Sequence, residues 1–325
     1  MRNRKIIMAI FSSLGILILI LDGKTALSEA ASGLELCLKT VIPSLFPFLF
    51  LCSILTGSLW GIPYPWLRPL GKRLGIPEGA ESVLIAAVLG GYPAGAQAIG
   101  EAFRENRLSR QDAEHLLSFC SNAGPAFLFG MVSLQFPEKH MVWAIWGILI
   151  WASLLTGYSD GRAPEEKATF PPKGVSATTI LMQTVKTMGS ICGWILLFAV
   201  LTAFLNRWLL WAVPEWGQVL ITGLLEISSG CCGLQRIENL PLRFLTGTAF
   251  LSYGGLCVTM QTASVIGDLS LKAYLRGKLL QTAFALGLTA LYLQFGWMVL
   301  IPAYGIFLLP AGLKKRGRFP ASSGV

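Results

Sequence analysis

Charge is scarce in this sequence: charged residues make up 13% of its 325 positions, against roughly 25% in an ordinary soluble domain. Hydrophobic residues make up 54%, more apolar surface than a water-soluble fold could cover. Histidine is scarcer still, with only His115 and His140. The seven cysteines, Cys37, Cys52, Cys120, Cys192, Cys231, Cys232 and Cys257, form no C-x-x-C pair. A zinc or haem centre needs clustered Cys or His ligands at reachable spacing, so neither a metal nor a cofactor is expected. General acid–base chemistry needs titratable groups converging in one pocket. His115 lies beside a charged loop and His140 at the edge of an apolar run, and no Ser-His pair or acidic dyad stands out. No catalytic residue is therefore assigned, and an enzyme is not expected. A small-residue cleavage site is also missing. Arg2, Arg4 and Lys5 precede an apolar stretch from Ile6 to Leu21, as in a secretory signal, but Asp22, Gly23 and Lys24 follow it. The stretch reads as a retained first span.

What the sequence does hold is apolar runs of bilayer length, at residues 6–21, 36–60, 113–134, 141–158, 178–205, 244–266, 279–295 and 297–313. About 20 residues suffice to cross hydrocarbon. One such run could be the buried core helix of a globular protein; so many in one chain predict an all-α polytopic membrane protein, a single membrane domain over 1–325. The net charge of +9 could suggest a nucleic-acid partner. The cations sit in short loops between apolar runs, where they record topology, and no nucleic acid is expected. Trp60, Trp66, Trp208, Trp211 and Trp216 lie near run ends, as an interfacial aromatic belt requires.

Two further apolar stretches, 81–102 and 217–235, are interrupted by Gly91-Tyr92-Pro93-Ala94-Gly95 and by Ser228-Ser229-Gly230-Cys231-Cys232-Gly233. Glycine and proline at the middle break a helix, so each stretch either crosses or dips in and returns. If both return, nineteen cations fall on one side, including Lys272, Arg276 and Lys278, against six on the other: Lys24, Lys39, Lys139, Arg207, Arg236 and Arg243. The positive-inside rule favours that arrangement. It predicts about eight transmembrane helices plus two re-entrant hairpins entering from opposite sides, an inverted repeat. The first half is 1–158, a cytoplasmic linker covers 159–177, the second half is 178–313, and 314–325 is a basic cytoplasmic tail.

Each half repeats the order of a hairpin followed by a broken span. The spans are broken at Ser121-Asn122-Ala123-Gly124-Pro125 and at Ser252-Tyr253-Gly254-Gly255. Non-helical backbone at membrane depth leaves peptide groups unpaired, and is tolerated only where protein or a water-filled cavity surrounds it. Breaks at matching places in two halves point to a binding site at the midplane. Half-helix N-termini there suit an anion or polar heteroatom. The candidate solute-binding residues are Gly91, Tyr92, Pro93, Gly95, Gln97, Ser121, Asn122, Gly124, Glu226, Ser228, Ser229, Ser252, Gly254, Gly255 and Gln261. An ionisable residue inside a membrane is a functional candidate because its burial is costly. The bland alternative for Glu226 is a pairing with Lys186 or with free backbone donors that merely holds the hairpin. For the glycines it is close helix packing.

Five stretches, Ile42-Pro43-Ser44-Leu45-Phe46-Pro47-Phe48, Gly91-Tyr92-Pro93-Ala94-Gly95-Ala96, Ser121-Asn122-Ala123-Gly124-Pro125, Gly223-Leu224-Leu225-Glu226-Ile227 and Ser252-Tyr253-Gly254-Gly255-Leu256, occur in this order over about residues 40–290. In them the chain resembles the sporulation integral membrane proteins of the YlbJ type, which carry nucleoside-recognition or Gate domains. The resemblance implies a fold similar to concentrative nucleoside transporters and a place in a bacterial cell membrane, with the mother-cell-derived outer forespore membrane as one candidate. It also implies a role in moving dipicolinate, a small aromatic dianion, into the forespore. Gln97 and Thr259 depart from the resemblance, standing where Lys and His are common. The expected function is a transporter or facilitator of a small polar or anionic solute. The alternatives are a non-transporting membrane protein for spore assembly and a carrier of nucleoside-type solutes. The expected partners are that solute and the lipid bilayer, with a possible homo-oligomer.

Overall fold

A computed structural model describes residues 2–59, 61–62, 65, 67–162 and 176–299. Trp60, Trp66, most of the linker, most of the 297–313 run and the basic tail lie outside the described residues. The described residues form helices joined by turns and short irregular stretches. After α1 (Arg2–Leu21), α2 (Gly23–Leu36) runs through a π-helical turn at Cys37–Val41 into α3 (Ile42–Leu59). These make one long rod, so the helix that carries the apolar run at 36–60 already starts at Gly23. A short α4 (Arg68–Arg73) leads to α5 (Ser82–Ile85), whose last turn widens into a π-helical turn at Ala86–Gly90. After Gly91–Pro93 the chain doubles back as α6 (Ala94–Arg104), which packs against the arm it has left.

The run at 113–134 is not one helix. It divides into α7 (Arg110–Leu117) and α8 (Pro125–Gly130), with an irregular stretch between them. Proline at the first turn of α8 costs nothing there, because its missing N–H would be unpaired anyway. Next come α9 (Lys139–Ser159) and α10 (Ala177–Trp208), then a second doubled-back pair, α11 (Glu215–Leu225) and α12 (Ile227–Cys232). α13 (Leu240–Tyr253) and α14 (Gly255–Ile266) form a span broken at Gly254, and α15 (Leu271–Phe295) follows. Side-chain caps start several of these: Ser109 for α7, Asn239 for α13 and Ser270 for α15.

Among the described residues, five helical stretches are long and apolar enough to cross a membrane: Gly23–Leu59, Lys139–Ser159, Ala177–Trp208, Leu240–Ile266 and Leu271–Val299. α10 turns Leu181, Met182, Val185, Leu197 and Leu201 outward, an apolar face suited to lipid. The exposed Trp208, Trp211 and Trp216 gather at its far end.

Polar contacts collect at the two ends of the bundle. At one end Arg104 Nη1 donates to Val265 O (2.9 Å) and Arg110 Nη1 to Asp268 O (2.9 Å). At the same end Ser270 N donates to Glu114 Oε1 (3.1 Å), Arg162 bonds Gln111, and His115 bridges Asp160 and Leu74 O. At the other end Arg207 bonds Asp22 (3.2 Å) and Thr25 (2.9 Å), Gln235 bonds Leu134 O, and Arg243 bonds Gln135 O. The segments around Arg107 and Arg162 share the first.

Two cations are not where the charge count placed them. Lys39 sits inside the long rod, its exposed side chain paired with Glu35 at 2.6 Å. Lys278, counted with the loop cations, lies two turns into α15 with a side chain 1% exposed. Its neighbours Lys272 and Arg276 made it look like loop charge, but burial is settled by what packs across the helix.

Candidate functional site

The four breaks meet. Gly91 ends the π-helical turn at φ +72°, and a Cβ on Gly124 would lie 2.7 Å from Gly91 Cα, so the first two breaks touch backbone to backbone. The irregular stretch after α7 is also clamped from both sides. A Cβ on Gly95 of α6 would fall 1.9 Å from Cys120 O, and one on Gly277 of α15 would fall 2.0 Å from Ser118 O. The packing role considered for the glycines is thus what the geometry gives Gly95 and Gly124. In the fourth break Gly254 and Gly255 take φ of +87° and +76°, left-handed values that a side chain resists.

Where α13 stops, its last carbonyls lose their helical partners. Tyr92 Oη donates to Leu251 O at 2.9 Å, tying the first break to the fourth. Lys278 Nζ reaches Ser252 O at 3.4 Å from α15, and also bonds Ser121 O, Tyr92 Oη (3.2 Å) and Gln281 Oε1 (2.8 Å). Gln281 Nε2 in turn donates to Asn122 Oδ1 at 2.7 Å, while Asn122 Nδ2 donates to Phe119 O and Ser153 Oγ, both at 3.1 Å. One buried network therefore joins Tyr92, Ser121, Asn122 and Ser252 around a lysine that sequence reasoning did not select. A signal for it exists. Tyr274, Lys278, Gln281, Ala285, Thr289 and Tyr292 recur at helical spacing, and all are buried along α15.

Beside this network lies a cavity of about 40 Å³, lined by Tyr92, Gly124, Phe127, Glu226, Ser228 and Gln261 and closed by the apolar side chains of Val41, Leu45, Ile191, Ile195, Ile227 and Val258. A water needs roughly 10–15 Å³ measured this way, so only a few waters fit, and a larger solute enters when the walls move. Glu226, 1% exposed, accepts from Ser228 N (2.9 Å) and Ser229 N (2.6 Å) as the N-cap of α12. Of the bland partners considered for it, backbone donors are the ones observed, and Lys186 is exposed on α10. An anion entering here meets an N-terminus already occupied by the chain's own carboxylate. Gln97 is turned away from the cavity: its Oε1 accepts from Thr187 Oγ1 (2.9 Å) and its Nε2 donates to Glu101 (3.0 Å). Pro93 follows Tyr92 through a cis peptide bond.

Ser229 faces the opposite way, into an open vestibule of about 880 Å³ between α2, α10 and the second doubled-back pair. Its walls carry Lys24, Ser28, Glu29, Asn206, Arg207 and Arg236, and it shares Ile195 with the cavity. The Glu226 cap thus stands between a wide basic entrance and the small chamber. Among the described residues no group of three or more His, Cys, Asp or Glu side chains is placed to hold a metal ion.

The chain is 25% identical to the sporulation integral membrane protein YlbJ of Bacillus subtilis (strain 168) in an alignment of 338 residues that covers 86% of this chain and 80% of that protein. No family profile and no solved structure matches it. The long apolar helices and this likeness together support an integral membrane protein similar to YlbJ.

Proposed function

We propose that the chain is a transporter or facilitator of a small polar or anionic solute, non-catalytic, with dipicolinate in sporulation as the candidate solute and setting. The observation that carries this reading is the meeting of four breaks, far apart in sequence: three line one cavity through Tyr92, Gly124 and Ser228, and the fourth is tied to it through the Tyr92–Leu251 hydrogen bond. Irregular backbone of this kind is kept at membrane depth where it lines a path. The relative's name places that protein in sporulation. The proposal includes eight spans with the stretches 81–102 and 217–235 as re-entrant hairpins, related as an inverted repeat. Cysteines placed at Arg68, Arg107, Arg162 and Lys272 should then label from one face of the membrane, and one at Arg236 from the other.

Purified protein in liposomes should take up labelled dipicolinate saturably. Excess nucleoside should compete only if the site takes that class instead, and absence of flux for both would refute the reading. With Arg207 paired to Asp22, Lys24 and Arg236 still outnumber Glu29 at the mouth and raise the local concentration of an anion there, an effect that salt screens. Arg236→Ala should therefore slow uptake several-fold at low ionic strength, with the deficit shrinking in concentrated salt. A deficit that salt leaves unchanged would assign Arg236 a packing role instead.

A further inference from the structure

None of the four partners of the Lys278 ammonium carries a charge, and every one presents a lone pair. Ser121 and Ser252 offer backbone carbonyls. Gln281 shows its Oε1 because its Nε2 is held by Asn122. Tyr92 gives its own hydrogen to Leu251 O, which leaves its Oη as an acceptor toward the lysine. An ammonium has three N–H donors and no lone pair, so its hydrogens are fully engaged. The rings of Tyr92 and Tyr274 add negative faces, with Nζ 4.9 Å and 5.9 Å from their centroids. A neutral all-oxygen shell built from broken-helix carbonyls is the kind of shell that unwound membrane helices offer to a monovalent cation.

We propose that Lys278 is a tethered cation. Its ammonium holds the place an alkali ion would take among the carbonyls of the second and fourth breaks, so the broken segments close without any inorganic ion. The charge cannot leave with the solute. On the transport reading proposed above, this adds that no alkali cation is carried at this position and that uptake does not require one.

The test is thermal unfolding of the full-length protein in choline, sodium or potassium chloride at equal ionic strength. The native protein should unfold at the same temperature in all three. Lys278→Ala should unfold several degrees lower in choline and regain part of the loss with sodium, potassium or millimolar ethylammonium. Lys278→Met, whose apolar chain fills the space, should stay low in every salt. A native midpoint that climbs with sodium or potassium would overturn the proposal, and so would a Lys278→Met protein as stable as the native one. Those two measurements decide the matter even if the alanine variant does not fold. In liposomes, dipicolinate uptake should be equal in sodium and choline, and a sodium requirement would overturn the coupling consequence. Absence of any uptake counts against the transport reading alone, and the melting comparison still decides the place of Lys278.

Discussion

Gly95→Ala should leave little folded protein. The added methyl would stand 1.9 Å from Cys120 O and 3.1 Å from its carbonyl carbon, and both are backbone atoms that cannot rotate aside. The stretch they belong to is braced on its far side by Gly277 against Ser118 O, so it cannot retreat. Overpacking of well-filled interiors costs roughly 1–3 kcal/mol, and backbone on backbone lies at or beyond the upper end. Total stability is only about 5–15 kcal/mol for an ordinary domain. The yield of monodisperse protein and its unfolding midpoint report the loss. Gly189→Ala is the internal control, because nothing lies within 4 Å of its added methyl on α10. It should be neutral or slightly stabilising, as alanine is the better helix former by up to about 1 kcal/mol. If the two substitutions behaved alike, the breaks would not be packed as described.

Glu226→Gln should abolish most dipicolinate accumulation while leaving the protein at normal abundance. The native carboxylate meets two N–H donors with two oxygens. An amide keeps the shape, but it turns its NH2 toward one of those donors and so disturbs the turn that sets Ser228 and Ser229 on the two walls, an effect that outweighs the easier approach of an anion to a neutral side chain. Loss of a helix cap costs about 0.5–2 kcal/mol, which a membrane bundle of this size withstands. Glu226→Ala, which also frees both N–H groups, should be less stable than Glu226→Gln and no more active. Dipicolinate content of spores at matched protein level is the readout, and uptake in liposomes should fall at least tenfold with it. Undiminished accumulation in the glutamine variant would leave Glu226 as a cap only, and would favour a non-transporting role in spore assembly.

Three of the breaks were legible because glycine and proline act locally; in the stretch 217–235 the chain breaks at Glu226 instead, and Ser228–Cys232, where the interruption was expected, are helical in α12. Gly91, Pro93, Gly124 and Gly254 disrupt a helix wherever they are buried, so their positions could be read without knowing their neighbours. Which polar groups meet across the breaks was not legible in the same way. Gln97 follows the first break closely, yet the phase of α6 points it at Thr187. Lys278 follows two ordinary surface cations, yet the phase of α15 points it at Ser121 and Ser252. A shift of one residue rotates a helical side chain by about 100°, and composition says nothing about that angle. The periodic polar stripe along α15 does, and it singles out Lys278 and Gln281 together. Glu226 was found from its chemistry, but the role of Ser228 and Ser229 as its donors depends on the turn between α11 and α12.

The vestibule is walled by residues of the end of the bundle that carries Arg207 and Arg236. At the opposite end Arg104, Arg110 and Arg162 grip carbonyls and a carboxamide of neighbouring elements, and Glu114 holds the start of α15. These contacts are solvent-exposed or nearly so, roughly 1 kcal/mol apiece, and they act in parallel. They form a latch of several weak fasteners that must be undone together, so on the proposed transport reading exit through that face would be an all-or-none event. If that unfastening limits turnover, the protein cycles faster in strong electrolyte, even though the same electrolyte slows capture of an anion at the entrance.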